Sequence, residues 1–271
     1  MCGITGSYNY NNPKVLKQML RKIKHRGPDD TNFFITDNAM LGINRLSIMD
    51  IKLGKQPMFS DNNNFSLVFN GEIFNYLEIK NDLKKKGIKF KTKSSDTEVI
   101  LKAYEVFGLN CFKKFNGMFA IAIYEKESNK LILVRDRTGI KPLFYSVIQD
   151  KLFFSSEIKA LFEVPLIKKI PNFESFNYFF SLKNIPAPET SFKNIYQINC
   201  GEIIIFDESG LKKKKFWDVN PNEINSNNLS ANSKKVFRIL NESVKIRMRS
   251  DVEVGAFLSG GLDSSAVCHL A

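Results

Sequence analysis

"MCGITG", residues 1–6, is the stretch on which the fold turns. A cysteine directly follows the initiator methionine, and residues 2–8, "CGITGSY", mix small and β-branched types that read as a short strand. Once Met1 is removed, Cys2 carries both a thiol and a free α-amine. An unperturbed α-amine has a pKa of about 7.7–8.0, close to that of a general base tuned for neutral pH. The amine can take the thiol's proton, directly or through one water, and leave a thiolate. One residue then supplies nucleophile and base. The competing reading is an incidental cysteine, since most small residues behind an initiator are inert.

The chain has 271 residues, of which 43% are hydrophobic, enough to bury a core. No apolar run approaches the roughly 18–20 residues needed to span a bilayer. The N-terminus lacks a basic segment followed by an apolar one, so no signal peptide is expected and a cytoplasmic location is. Four scattered cysteines and two histidines form no C-x-x-C pair and no ligand cluster, so neither a disulfide framework nor a metal site is expected. Cys111 and Cys200 read as small buried hydrophobes. The net charge of +12 raises nucleic-acid binding. The lysine runs carry little aromatic interleaving and match no nucleic-acid motif, which favours a solvated basic surface.

Along the chain, "PKVLKQMLRKIKHRG" (13–27) reads as a helix from Pro13 to Gly27 with Val15, Leu16, Met19, Leu20 and Ile23 on one face. "AMLGINRLSI" and "FSLVF" are strand-like. "NYLEIKNDLKKKG" and "SSDTEVILKAYEVFG" are helical, the second capped by Ser94 or Ser95. Four strand-like pieces follow at hairpin spacing between residues 117 and 156, then helices in "SSEIKALFE" and "NFESFNYFFS". "GEIIIFDESGLKKKKFWD" reads as a hairpin turning at Ser209-Gly210. Residues 216–234 read as a linker. "SKKVFRILNESVKIRMRS" is an amphipathic helix, "VEVGAFL" an apolar strand, and "SGGLDSS" a glycine loop opening a helix. The first part is thus α+β with antiparallel spacing over residues 1–215. Residues 235–271 open an α/β nucleotide-binding unit.

Several residues carry chemistry on their own account. Arg45 can grip a carboxylate with its planar fork, or be a surface arginine. Asn70 offers an amide donor and Gly71 a backbone N–H, a pair able to form an oxyanion hole. "NG" between apolar runs is also a hairpin-turn signal, and a turn can present both donors. Glu72 reads as an exposed strand residue and Asp96 as a helix-capping acid. His25, in "HRGPDD", reads as part of a structural helix end and turn. Arg135, Asp136 and Arg137 read as an ion-pair network. In "FLSGGLDSS", the glycines and the hydroxyls of Ser259, Ser264 and Ser265 suit an anion at a helix N-terminus, and the missing lysine excludes a Walker A loop.

"MCGITG" with "HRGPDD" resembles the class II glutamine amidotransferases. "RLSIMD", "FNGEIFNY", "SSDTEVIL", "FNGMFAIAIYE", "RDRTGIKPLFY", "SSEIKAL" and "SGGLDSS" extend the resemblance, in order, to the glutamine-hydrolysing asparagine synthetases. That resemblance implies an N-terminal-nucleophile hydrolase fold, an αββα sandwich of two antiparallel sheets, followed by the start of a pyrophosphate-loop domain. It implies catalytic roles for Cys2, Asn70 and Gly71. It places glutamine on Arg45, Ile48, Met49, Asn70, Gly71, Glu72 and Asp96, with Arg45 holding the α-carboxylate and the two acids the α-ammonium. It implies ATP binding by Leu258, Ser259, Gly260, Gly261, Asp263, Ser264 and Ser265, and a longer enzyme that uses ATP, Mg2+ and aspartate, with a homodimer as an admissible assembly. The glutaminase step needs no cofactor. Because the family's synthetase domain continues well beyond this loop, the chain is expected to be a C-terminally truncated piece. Rival expectations are a related amidotransferase acting on another carboxylate such as a polysaccharide sugar acid, to which "SLKNIPAPETSF" points, and a non-catalytic glutamine-binding module.

Overall fold

The computed structural model describes residues 1–220 and 228–271. In chain order the elements are β1 (Gly3–Tyr8), α1 (Pro13–Lys22), β2 (Asp30–Ile35), β3 (Ala39–Arg45), β4 (Met58–Phe59) and β5 (Phe65–Ile73). Next come α2 (Tyr76–Lys85), α3 (Asp96–Phe107), β6 (Gly117–Glu125), β7 (Lys130–Arg135), β8 (Phe144–Ile148) and β9 (Lys151–Ser155). They are followed by α4 (Ile158–Leu161), α5 (Phe173–Leu182), β10 (Tyr196–Gln197), β11 (Glu202–Asp207), β12 (Gly210–Lys215), α6 (Leu229–Arg247) and α7 (Leu262–Leu270).

The strands form two six-stranded antiparallel sheets, ordered β10-β8-β9-β1-β3-β2 and β12-β11-β7-β6-β5-β4. Strand alternation assigns the layers. On β6, Ala120, Ala122 and Tyr124 face the other sheet and meet Ile4, Leu41, Ile43 and Phe154. The intervening Phe119, Ile121 and Ile123 face α2 and α3, packing on Leu83, Ile100 and Tyr104. On the outer face of the first sheet, Val15, Met19 and Ile23 after α1 pack with Phe153, Ala160 and Leu161. The order helix, sheet, sheet, helix is the expected αββα sandwich.

Several expectations are corrected. The helix from Pro13 stops at Lys22, and Lys24–Arg26 form a 3-10 turn instead. Asn70 and Gly71 are no hairpin turn: they lie inside β5, opposite Ala120 and Phe119. The hairpin after β11 turns at Glu208-Ser209, because Asp207 pairs with Gly210. Cys200 is exposed, in the turn leading to β11. The linker expected at 216–234 lies partly outside the described residues, and its last part, 229–234, already belongs to α6, capped by Asn228. "VEVGAFL" forms no strand and Phe257 is fully exposed. Among the described residues no sheet edge pairs with it, and an apolar run becomes a strand only with a ladder partner.

Arg135, Asp136 and Arg137 do not pair with one another. Arg135 donates to the carbonyls of Gly139, Lys141 and Ile198 at 2.6, 2.9 and 2.7 Å. Asp136, fully buried, accepts from the backbone N–H groups of Phe119, Thr138, Ile140 and Lys141 at 2.9–3.1 Å. Arg137 donates to the Lys113 carbonyl at 2.9 Å. Together the first two fold the loop 136–141 down against β6.

Candidate active site

The register of β1 delivers Cys2 to the site. Gly3 pairs with Asn44 of β3, so Cys2 falls opposite Arg45 at the end of the ladder. The thiol meets the backbone of Leu46: Sγ accepts from its N–H at 3.4 Å and donates to its carbonyl at 3.6 Å. Arg26 ties the Cys2 carbonyl through Nε at 3.0 Å and reaches Glu157 through Nη1 at 3.0 Å. Gly27, next along, has no room for a side chain: a Cβ would stand 2.3 Å from the Asn44 carbonyl oxygen. The "HRG" turn is therefore packed directly on β3. His25 belongs to the same wall, 2.8 Å from Glu157 and turned toward solvent.

The facing wall comes from β5. Asn70 is 1% exposed, and neither its Nδ2 nor its Oδ1 has a hydrogen-bond partner in the chain. Buried side-chain amides are almost always paired, so an unpaired one facing a cavity marks a place prepared for something else. A Cβ on Gly71 would stand 2.0 Å from the Met118 carbonyl oxygen, and its φ is +155°, so glycine is fixed there beside Asn70 in the cavity wall.

These walls enclose a cavity of about 140 Å³ lined by Cys2, Arg45, Ile48, Met49, Asn70, Gly71, Glu72 and Asp96. Every residue predicted to touch glutamine thus lies in one place, brought there by β1, β3, β5 and the start of α3. Met1, Leu46, Gly54, Gln56, Phe69, Thr97, Met118 and Lys141 complete the lining. Gln56 joins β5 to α3, accepting from Phe69 N–H at 2.7 Å and donating to Thr97 Oγ1 at 3.2 Å. Lys141 was not singled out by sequence, because "RDRTGIKPLFY" reads as scaffold. It is 5% exposed and contributes a cation to a cavity that also holds two carboxylates.

The electrostatics follow from burial. Burial pushes the Cys2 thiol up from its ordinary value and the terminal amine of Met1 down. It raises Glu72, opposed by Lys141, and lowers Lys141, opposed by Glu72. Asp96 is pushed up to about 7, chiefly by burial, although its carboxylate accepts from Ile73 N–H at 3.1 Å. Arg45, 4% exposed, spends part of its fork on the loop that follows: Nη1 donates to Ile51 O at 3.1 Å, and Nη2 to Met49 O and Asp50 O at 2.9 and 3.1 Å. The guanidinium both shapes this loop and borders the cavity.

The residues expected at ATP lie elsewhere, at the start of α7. Ser259 and Ser264 hydroxyls meet at 2.9 Å, Ser264 also donates to the Gly261 carbonyl at 3.0 Å, and Gly260 adopts φ +80°. Asp263 sits in the first helical turn, and Leu258 is largely exposed. None of them lines the Cys2 cavity. Among the described residues no group of histidine, cysteine and acidic side chains could hold a metal ion, and no helix is long and apolar enough to cross a membrane.

The chain resembles a putative glutamine-hydrolysing asparagine synthetase of Methanocaldococcus jannaschii, with 38% identity over 98% of this chain and 56% of that protein. It is 35% identical to asparagine synthetase [glutamine-hydrolyzing] 1 of Bacillus subtilis, over 100% of this chain and 44% of the relative. The chain therefore spans about half the length of the curated relatives it matches. In fold it is similar to the glutamine phosphoribosylpyrophosphate amidotransferase of B. subtilis solved with ADP and GMP, with a TM-score of 0.62 and 18% identity over 98% of this chain and 63% of that one. That likeness is one of fold: two antiparallel sheets stacked between helices. Residues 235–271 match the asparagine synthase family. Residues 1–217 match the glutamine amidotransferase domain, and the chain belongs to that family.

Proposed function

We propose that residues 1–215 hydrolyse glutamine to glutamate and ammonia with Cys2 as nucleophile. The observation that carries this reading is the buried, unpartnered amide of Asn70 sharing one small cavity with Cys2. In this reading Met1 is removed and the α-amine of Cys2 takes the thiol proton. Sulfur then bonds to the amide carbon of the substrate, and the oxygen of the tetrahedral intermediate is held by Asn70 Nδ2–H and Gly71 N–H. Collapse breaks the carbon–nitrogen bond, the protonated amine returns its proton to the leaving nitrogen, and ammonia departs. Water attacks the remaining thioester, releasing glutamate and restoring the thiol. Arg45 holds the substrate α-carboxylate, Glu72 and Asp96 its α-ammonium, and Ile48 and Met49 close the pocket. The charges suit a zwitterion: the Arg45 fork faces its carboxylate and the two acids its ammonium, with Lys141 a second cation in the same lining.

For the longer protein we propose a cytoplasmic, glutamine-dependent asparagine synthetase in which residues 235–271 open the second domain after a linker beginning at residue 216. The start of α7 suits a polyphosphate, with hydroxyls and helix N–H groups exposed around a positive-φ glycine. Leu258, Ser259, Gly260, Gly261, Asp263, Ser264 and Ser265 would hold ATP, with Mg2+, and ATP would supply the activation of the aspartate carboxylate. A homodimer is part of the same proposal.

The test is intact mass together with glutamate release from glutamine by the purified chain and by Cys2→Ala. Loss of Met1 with steady release that disappears in Cys2→Ala supports the reading. Release retained in the variant sinks it.

A further inference from the structure

After α6 the chain turns back onto the outer wall of the glutamine cavity. Arg249 forms a two-pronged pair with Glu78, Nη1 and Nη2 at 2.8 and 2.7 Å, and Nη1 also donates to the Phe74 carbonyl at 2.8 Å. The Arg247 guanidinium lies 4.4 Å from the centre of the Phe74 ring. Two residues beyond Arg249, one carboxylate oxygen of Asp251 accepts from the backbone N–H of Asp50 at 2.8 Å and from Ser94 Oγ at 2.7 Å. Ile246 and Arg249 then line a small void directly behind Met49, Glu72 and Asp96.

Asp50 is the node of the loop 46–54. Its backbone is left-handed, φ +41°, which a non-glycine residue adopts only when its surroundings hold it. Its carbonyl receives Arg45 Nη2 and Gly54 N–H, and its carboxylate receives Leu53 N–H and Ser94 N–H. Ser94 stands immediately before Ser95, the cap of α3, and Asp96, its first residue. Asp251 therefore joins, through a single oxygen, the loop that orients Arg45 and the turn that presents Asp96.

We propose that Asp251 is a positioning residue for glutamine hydrolysis, pinning loop 46–54 to the start of α3 so that the carboxylate anchor and the ammonium acceptor stand at a fixed separation. The proposal rests on the glutaminase reading above. It is specific about which half of the site is affected. The Cys2 backbone, Asn70 and Gly71 are set by β1 and β5, which are paired inside their sheets, and the Cys2 thiol meets the loop at Leu46, the residue that directly follows β3 and is held by that strand. Losing the pin loosens the grip on the amino-acid end of the substrate and leaves the reacting end in place.

The experiment compares the whole chain with Asp251→Ala and Asp251→Asn in glutamate release and in hydrogen exchange of peptides spanning residues 46–54 and 65–73. Two charge-assisted bonds disappear in the alanine variant, so KM for glutamine is expected to rise about tenfold or more while kcat stays within about threefold. Exchange accelerates over 46–54 and not over 65–73. Asparagine retains a carbonyl oxygen for both donors and restores KM and protection. Unchanged KM and unchanged exchange in Asp251→Ala overturn the proposal, as does a collapse of kcat at unchanged KM. A wild-type chain that releases no glutamate overturns the functional reading separately, and the exchange comparison at 46–54 still decides whether Asp251 pins the loop.

Discussion

The Arg26 side chain donates from Nε to the carbonyl oxygen of Cys2 at 3.0 Å while Nη1 reaches Glu157 at an equal distance. His25 shares that oxygen, Oε1, with Arg26, and Lys159 meets Oε2; burial works to raise the Glu157 carboxyl, and the bonds from Lys159, Arg26 and His25 outweigh it and lower it to about 2. The backbone of Cys2, the proposed nucleophile, is thus anchored through ion pairs that lie outside the cavity lining. Arg26→Ala releases that anchor. A displacement of about 1 Å at a reacting group costs on the order of 100-fold in rate, so kcat/KM for glutamine should fall by roughly that factor. Arg26→Lys keeps the charge without the fork and should lie between. Steady-state glutamate release, with circular dichroism to confirm folding, checks both.

Asn70→Asp keeps size and burial but removes the amide N–H groups and adds negative charge where an oxyanion would form. Loss of one such donor typically costs about 100–1,000-fold in kcat. The expected signature is that drop with little change in KM. A variant with near-normal kcat would mean the buried amide serves another purpose.

Gly71→Ala sets a methyl 2.0 Å from the Met118 carbonyl oxygen, across the ladder between β5 and β6. Backbone cannot yield as a flexible side chain does, so the strands must separate. Overpacking of this kind costs about 1–3 kcal/mol, readable as a lowered urea midpoint, with activity lost in parallel.

Asp96 predicts a pH dependence. Its folded pKa, about 7, lies above the unfolded value near 3.9. The folded chain therefore binds this proton more tightly. Its stabilising contribution is complete below pH ~3.9 and is lost as pH rises through about 7. Asp96→Asn, which cannot ionise, should gain in Tm relative to wild type between those limits. Binding of an ammonium needs the ionised form, so the wild-type KM for glutamine should fall as pH rises toward 7. The Asn variant should show a high KM without that slope.

Much of the site was legible because its residues sit in short, ordered motifs: Cys2, Arg45, Asn70, Gly71, Glu72 and Asp96 do converge on one cavity. What was not legible depends on partners distant in sequence. Asn-Gly is a local turn signal, and only the ladder with β6 shows it to be mid-strand. "VEVGAFL" has strand composition, but composition supplies no neighbouring strand. Arg135, Asp136 and Arg137 alternate in charge, yet each finds backbone groups instead, so adjacency in sequence did not become an ion pair. Lys141, Gln56 and Thr97 carry no signature of their own. They enter the site because Asp136 folds one loop and α3 is docked on β5.

The four consecutive lysines Lys212–Lys215 lie on β12, the outermost strand of its sheet, and all four are exposed. An outer strand offers a row of open N–H and C=O groups to any passing chain, and clustered positive charge is one of the ways such an edge is kept from recruiting another copy. Four of the charges behind the +12 net balance therefore sit on an open sheet edge. Replacing these lysines by threonine is expected to leave the Cys2 cavity, which they do not line, untouched and to shorten the time the protein stays dispersed at high concentration, as light scattering would show.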